Sequence, residues 1–333
     1  DTLTLTADNE WLLDGYVYVE ETACLVIEPG TVVKGKTVPS TGDLTSALIV
    51  ARGGKIIADG TADAPIIFTG ELDDLSTTTD LTADDNQTWG GLIILGNSIV
   101  GEENGTDVIE GIPSDEPRII YGGTDSLDNS GILRYVSIRH GGSVLGADNE
   151  INGLTMGGVG AGTIVDYVEV FANKDDGIEL FGGTVNITHA VVGFAGDDSF
   201  DFDESYEGYL QFLFSIQGTT GDNAIEYDGS ERADAGPKTV GRLYNGTFIG
   251  SADLNASSDG LRLRNDGAAQ LWNCVFVDQP GYAYRFDNDP ERPETAVAGN
   301  FAFNFGVLVN TPGTEPETFL VTEADPQLAG ISR

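Results

Sequence analysis

"NKDDGIELFGGTVNITHAVVGFAGDDSFDF", residues 173–202, states nearly the same pattern twice. "DDGIELF" at 175–181 returns as "DDSFDF" at 197–202, the acid pairs standing 22 residues apart. Each copy sets two aspartates at a turn ahead of a short run with alternating apolar side chains. Alternation is the period of a strand, and its return at a fixed spacing marks a repeat architecture. The acid corner recurs with an altered face in "DNAIEYD" (222–228), "DGLRLRND" (259–266) and "GYAYRFDND" (281–289). A second strand type interleaves with it: "GILRYVSIRH" (131–140), "GTIVDYVEVF" (162–171), "VNITHAVVGF" (185–194), "YLQFLFSIQ" (209–217), "VGRLYNGTFIG" (240–250) and "AQLWNCVFVD" (269–278).

One copy cannot bury its apolar face alone, so copies must stack. Short strands with no helical pattern between them exclude βαβ units. Like strands stacked on like strands form a parallel coil rising ~4.8 Å per turn. The fold class is therefore all-β, a right-handed parallel β-helix with long polar loop insertions. A propeller or a jelly roll does not explain the 22-residue return. Less regular coils precede the repeat: "ACLVIEPGTVVKG" (23–35), "SALIVARGGKIIADG" (46–60), "PIIFTG" (65–70) and "WGGLIILGNSIV" (89–100). The polar insertions 71–88 and 102–117 are expected on one side of the solenoid. No linker divides the chain, which reads as a single domain over 1–333, with an N-terminal strand or cap segment at 1–22 and an irregular segment at 301–333.

Composition narrows the partners. Among 333 residues there are 54 acidic and 16 basic side chains, a net charge of −38. Nucleic acid and anionic membranes are excluded by repulsion; cations, or a saline medium that screens the charge, suit it. No apolar run reaches membrane-spanning length. Cys24 and Cys274 lie far apart and form no framework motif.

Several segments resemble a family of exported bacterial parallel β-helix proteins found at the cell surface: "LTADNEWLLDGYVYVEE", "LVIEPGTVVKGK", "ALIVARGGKIIADGTADAPIIFTG", "WGGLIILG" and "EINGLTMGGVGAGTIVDYVEVFANKDDGIELFGGTVN". The resemblance implies a β-helix outside the cell. A second likeness is local. The corners resemble those of the polygalacturonases, which carry N-T-D, then D-D one coil later, then G-H-G and R-I-K. Asn173 to Asp176 match the first and Gly196 to Asp198 the second, so Asp176, Asp197 and Asp198 are the acid–base candidates of a polysaccharide-cleaving hydrolase. Arg262-Leu263-Arg264 echoes R-I-K, but G-H-G is missing, and the two histidines, His140 and His189, lie too early. The corner is equally what a solenoid turn favours, since Asp and Asn accept nearby N–H groups and Gly tolerates positive φ.

The acids also offer hard oxygens to calcium. Asp175, Asp176, Asp197, Asp198, Asp201 and Asp203 form the candidate cation set, with Glu179 and Glu204 beside them. Alternation in "FDFD" (200–203) predicts that Asp201 and Asp203 point outward. The expected function is a non-enzymatic surface protein, self-associating end to end into a fibre through its strand-like ends. The alternatives are the hydrolase and a carbohydrate-binding module. Calcium is the expected cofactor, and self-association or extracellular polysaccharide the expected partner.

Overall fold

The long repeat strands each contain one non-glycine residue at positive φ, and that residue turns a corner. In the strand Gly131–Arg139, residues 131–134 pair with Ile56–Asp59 and residues 136–138 with Ile66–Phe68. Tyr135 between them has φ 47°. The register breaks at the same place on the next coils, at Tyr167, His189, Phe212 and Asn245, with φ between 52° and 61°. What reads as one long strand is thus two, bent around a left-handed residue. A left-handed turn at a residue with a side chain costs roughly 1–2 kcal/mol. Stacking offsets it: Tyr135 and Tyr167 are 4.5 Å apart between ring centroids, Tyr167 and His189 4.2 Å, His189 and Phe212 4.9 Å. Asn245 and Asn273 continue the column, Asn tolerating this conformation best after Gly.

Because of that bend the coil has three faces. The computed structural model describes residues 1–310 except 78, 103, 147–148, 230–238, 252, 254–257, 266, 288–295, 299–300 and 304–306. The first two faces are the two arms of the bent strands, both parallel throughout. The third runs from Tyr16–Val19 through Ala47–Val50, Leu92–Leu95, Leu154–Gly157, Ile178–Phe181, Phe200–Asp203, Asn223–Asp228, Asp259–Arg264 and Tyr282–Phe286 to Val307–Asn310, also parallel. Among the described residues the only helical turn is Pro117–Ile119, and no helix is long and apolar enough to cross a membrane. The C-terminal segment "ETFLVTEADPQLAGISR" (317–333) lies outside the described residues.

The register of the third face follows the alternation in the sequence. Ile178, Phe200, Ile225 and Leu261 stand in one inward column, each at most 1 % exposed. Phe200 also meets Phe248 edge-on at 6.2 Å. Phe200→Ala leaves a void between Ile178 and Ile225 that a stacked backbone cannot close. It is expected to cost about 3–5 kcal/mol in denaturant unfolding, against under 1.5 kcal/mol for Phe200→Leu if the column repacks. Equal small losses would contradict this packing.

The insertion 102–117 does not behave as a purely polar one. Ile109, Ile112 and Ile119, with Val100 and Tyr121, pack on Ala47, Ile49, Ile93 and Leu95, the outward side chains of the early coils. A short antiparallel pair, Asp107–Val108 with Ile120–Tyr121, closes it. A second apolar core therefore covers the outer surface of the third face, and its cover gives way to carboxylates as the coils proceed.

Candidate acidic site on the third face

The corner ahead of each third-face strand is a ladder of Asx side chains. Asn152 Oδ1 accepts the N–H of Asp176 at 3.2 Å, Asp176 Oδ1 that of Asp198 at 2.8 Å, and Asp198 Oδ1 that of Asn223 at 2.5 Å. Asp259 repeats the contact with the N–H of Tyr282 at 2.6 Å. The short side chain reaches the coil above because the stacked backbones are one strand spacing apart. Asp176 and Asp198 are buried and hold the coils together. The residue above Asp198 is Asn223, whereas Asp228 closes the same strand at its far end, so the third corner of the ladder is an amide and not the acid at 228.

Three residues further on, the side chains point outward and form a second column: Thr155, Glu179, Asp201, Glu226, Arg262 and Arg285. Beside it run Phe181, Asp203, Asp228 and Arg264. Asp175, Asp197 and Asp222 form the rim next to the corner. Carboxylate oxygens of Asp175, Asp176 and Asp197 lie within 4.8 Å of one another, and so do those of Asp176, Glu179 and Asp201. The trios Asp197–Asp198–Asp222 and Asp198–Asp201–Glu226 extend the tract. Glu110, reaching in from the insertion, shares the Asn152 amide with Glu179. Asp201 and Asp203 face outward as the alternation predicts, yet the tract leaves them only half-exposed.

Crowding and burial raise the proton affinity of the whole tract. Loss of water, then the charges of neighbouring acids, holds Asp176, Glu179, Asp198 and Asp201 well above the usual carboxylate range. Asp175 is pushed up to about 7 by burial and by Asp197, and Asp203 to about 7 by burial and Asp228. Burial lifts Glu204 to about 8, although the Tyr121 hydroxyl donates to it at 2.6 Å. Glu226, raised mainly by burial, reaches only about 6 because Arg264 and Arg262 lie against it. Asp197 is also raised by burial and by Asp222, with Lys174 and Arg264 pulling it back down; it is exposed at the rim.

At the C-terminal side the sign of the column reverses. Arg262 donates to Glu226 at 3.0 Å and to Asp287 at 2.9 Å. Arg264 pairs with Glu226 at 3.0 Å and donates to Asp228 at 2.6 Å. The pair expected from the R-I-K echo thus points to the tract's own acids. Neither histidine joins it. His140 is buried against Phe171 with Nδ1 at the Asp85 carbonyl, and His189 sits in the corner column bonded to Asp166 at 2.9 Å.

The six candidate cation ligands and the three acid–base candidates therefore share one continuous tract. Sequence reasoning missed Asp222, Glu226 and Glu110. The first two sit at the register positions of Asp197 and Asp201 one coil on, so the alignment of repeats contained them. Glu110 comes from an insertion with no repeat signal.

No curated protein matches the chain in sequence. Among solved structures, a pectin methylesterase from Aspergillus niger is similar over 96 % of this chain and 83 % of that one, at 12 % identity and a TM-score of 0.38. The catalytic unit of a GH87 α-1,3-glucanase from Streptomyces thermodiastaticus is similar over 100 % of this chain and 62 % of its own, at 9 % identity and a TM-score of 0.37. Residues 1–313 match the family described as the pectate-lyase like beta helix domain. With three parallel sheets wound into one solenoid and that match over nearly its whole length, the chain belongs to the pectate-lyase-like β-helix family.

Proposed function

We propose that the protein is an exported enzyme that cleaves a polysaccharide by acid–base hydrolysis on the third face. The observation that carries this reading is the split in proton affinity within one carboxyl tract. Asp201, half-exposed among Asp176, Asp198, Glu179 and Glu226, keeps its proton toward neutral pH and is the general acid. Asp197, at the rim beside Lys174, ionises more readily and is the base that takes a proton from water. Two carboxyls whose surroundings push them apart are the requirement of glycosidic hydrolysis. Burying this many acids destabilises the fold, and such a cost is retained where chemistry uses it. Membership of a family described by a polysaccharide-cleaving enzyme supports the substrate class. The test is release of reducing ends from a panel of neutral and acidic polysaccharides by the intact protein. Binding without release on every member would make it a carbohydrate-binding module; neither binding nor release would return it to the structural or adhesive role and its end-to-end assembly.

The trios within 4.8 Å also fit calcium, which accepts several carboxylates in loose geometry. Asp175, Asp176, Asp197, Asp198 and Asp201, with Glu179, Asp222 and Glu226, are the residues that would hold it; Asp203 of the expected set lies beside the column and belongs to none of these trios. Bound there, the ion would supply positive charge that relieves the repulsion and orders an acidic sugar. Protons and calcium compete for the same oxygens, so the acid form and the cation form belong to different pH ranges.

A further inference from the structure

The outward column of the third face is roofed over its early coils, and the roof ends at a definite residue. Ile49, Ile93, Thr155 and Glu179 stand in register along it, and each is at most 6 % exposed. Asp201, one coil on, is half-exposed.

The roof is the insertion that follows Leu92–Leu95. Its Ile109, Ile112 and Ile119 pack with Ile49, Ile93 and Ile151. At the corner end of the strands, half-buried Glu110 accepts the Asn152 amide at 3.3 Å, beside Glu179. At the other end the Tyr121 ring fills the space over Gly157, where a Cβ would fall 2.6 Å from it, and its hydroxyl donates to Glu204. The cover thus spans the full width of the sheet. The hairpin Val144–Gly146 with Asn149–Glu150 backs it. The Glu150 carbonyl lies so close to Gly111, at φ 71°, that a Cβ there would meet it at 2.5 Å. A strand pair lying on a sheet stands about 10 Å above it, so the roof ends as a wall beside Asp201. Toward the C-terminal coils the floor continues as Glu226 beneath Arg262 and Arg264, whose side chains stay part-exposed.

We infer that the protein removes single sugar units from chain ends and does not cut inside a chain. This rests on the acid–base reading of the third face and adds the mode of attack. The acids repeat once per coil, so a polymer that engages them lies along the solenoid axis. It meets the wall about one coil, ~4.8 Å, past Asp201. That leaves room for one sugar ring, and the linkage beside Asp201 is the terminal one. Asp201 gives its proton to the bridging oxygen as the C–O bond breaks. Water adds its hydroxyl to the anomeric carbon and gives its other proton to Asp197. Glu110, at the foot of the wall, accepts a hydrogen bond from a hydroxyl of the terminal unit and sets its position.

The full chain is incubated with polygalacturonate, alginate, xylan and soluble starch, and early products and viscosity are followed together. Monosaccharide is expected as the sole early product from the polymer that is cleaved, with viscosity near its starting value. A ladder of oligosaccharides with a fast fall in viscosity would overturn the inference and leave the acid–base reading standing. No product from any of the four would overturn both. Exchanging residues 104–116 for a short glycine–serine bridge removes the wall and should turn the product into a ladder. A bridged variant that keeps a cooperative melting transition and still yields only monosaccharide would overturn the wall's role. Glu110→Ala, which leaves the isoleucines in place, is expected to raise KM about 10- to 100-fold, the range of a hydrogen bond to a charged group. The loss should fall on KM rather than on kcat; an unchanged KM would equally overturn the inference.

Discussion

Asp201→Asn is expected to lower the rate of reducing-end release about 10²- to 10⁴-fold, the range a positioned general acid contributes, and at the same time to raise the melting temperature at pH 8. The two effects share one cause. Asp201 belongs to two carboxyl trios, one with Asp176 and Glu179 and one with Asp198 and Glu226. An amide keeps the shape and the acceptor that Asp201 Oδ1 presents to the N–H of Phe202 at 2.7 Å. It removes the proton donor and one charge from a repulsive group. A carboxylate that holds coils together through a backbone N–H of the next coil would behave oppositely. The comparison is Asp198→Ala, which leaves the N–H of Asn223 without the acceptor it has at 2.5 Å and should lower stability by about 1–3 kcal/mol. If Asp201→Asn loses stability, or cleaves as fast as the wild type, Asp201 is not the acid.

The second large effect is on stability as pH changes. Asp175 and Asp203 titrate near 7, Glu226 near 6 and Glu204 near 8 in the folded chain, against about 4 when unfolded. A folded pKa above the unfolded one means the folded state binds the proton more tightly. The resulting stability is fully present below about pH 4 and is lost as pH rises through the folded values. Acids held low by arginine, such as Asp287 beside Arg262 and Glu116 beside Arg118, work the other way and lose their contribution as pH falls below 4. The melting temperature in EDTA should therefore peak near pH 5 and be lower by about 5 °C or more at pH 8. Calcium at about 100 times its dissociation constant should restore about 2.7 kcal/mol at pH 8 and much less at pH 5, where protons already neutralise the tract. A melting temperature that is level or rises from pH 5 to 8 in EDTA would contradict the buried-acid account. No response to calcium at pH 8 would remove calcium from it.

What the chain by itself determined is the coil. The doubled corner at 175–176 and 197–198 set the period, and alternation in "IELF" and "FDFD" set which side chains face in. Ile178 and Phe200 stack inside because a two-residue period leaves one choice of face once the apolar positions are given. The outward placement of Asp201 and Asp203 was legible for the same reason.

Three features were decided only by the tertiary structure. The bend at Tyr135, Tyr167, His189 and Phe212 was hidden because bulky residues at positive φ carry no local signal; only the ring-on-ring column of stacked coils makes that conformation tolerable. The isoleucines of the insertion 102–117 became a second core because the outward face of "ALIV" and "LIIL" had no other cover. The largest difference lies in the acids. Along the chain Asp176, Asp198, Asp201 and Glu226 are separate turn and strand residues that water could solvate. Stacking brings them within one strand spacing of each other and shuts most of the water out, and proton affinity depends on those two quantities, neither of which is a property of any one repeat.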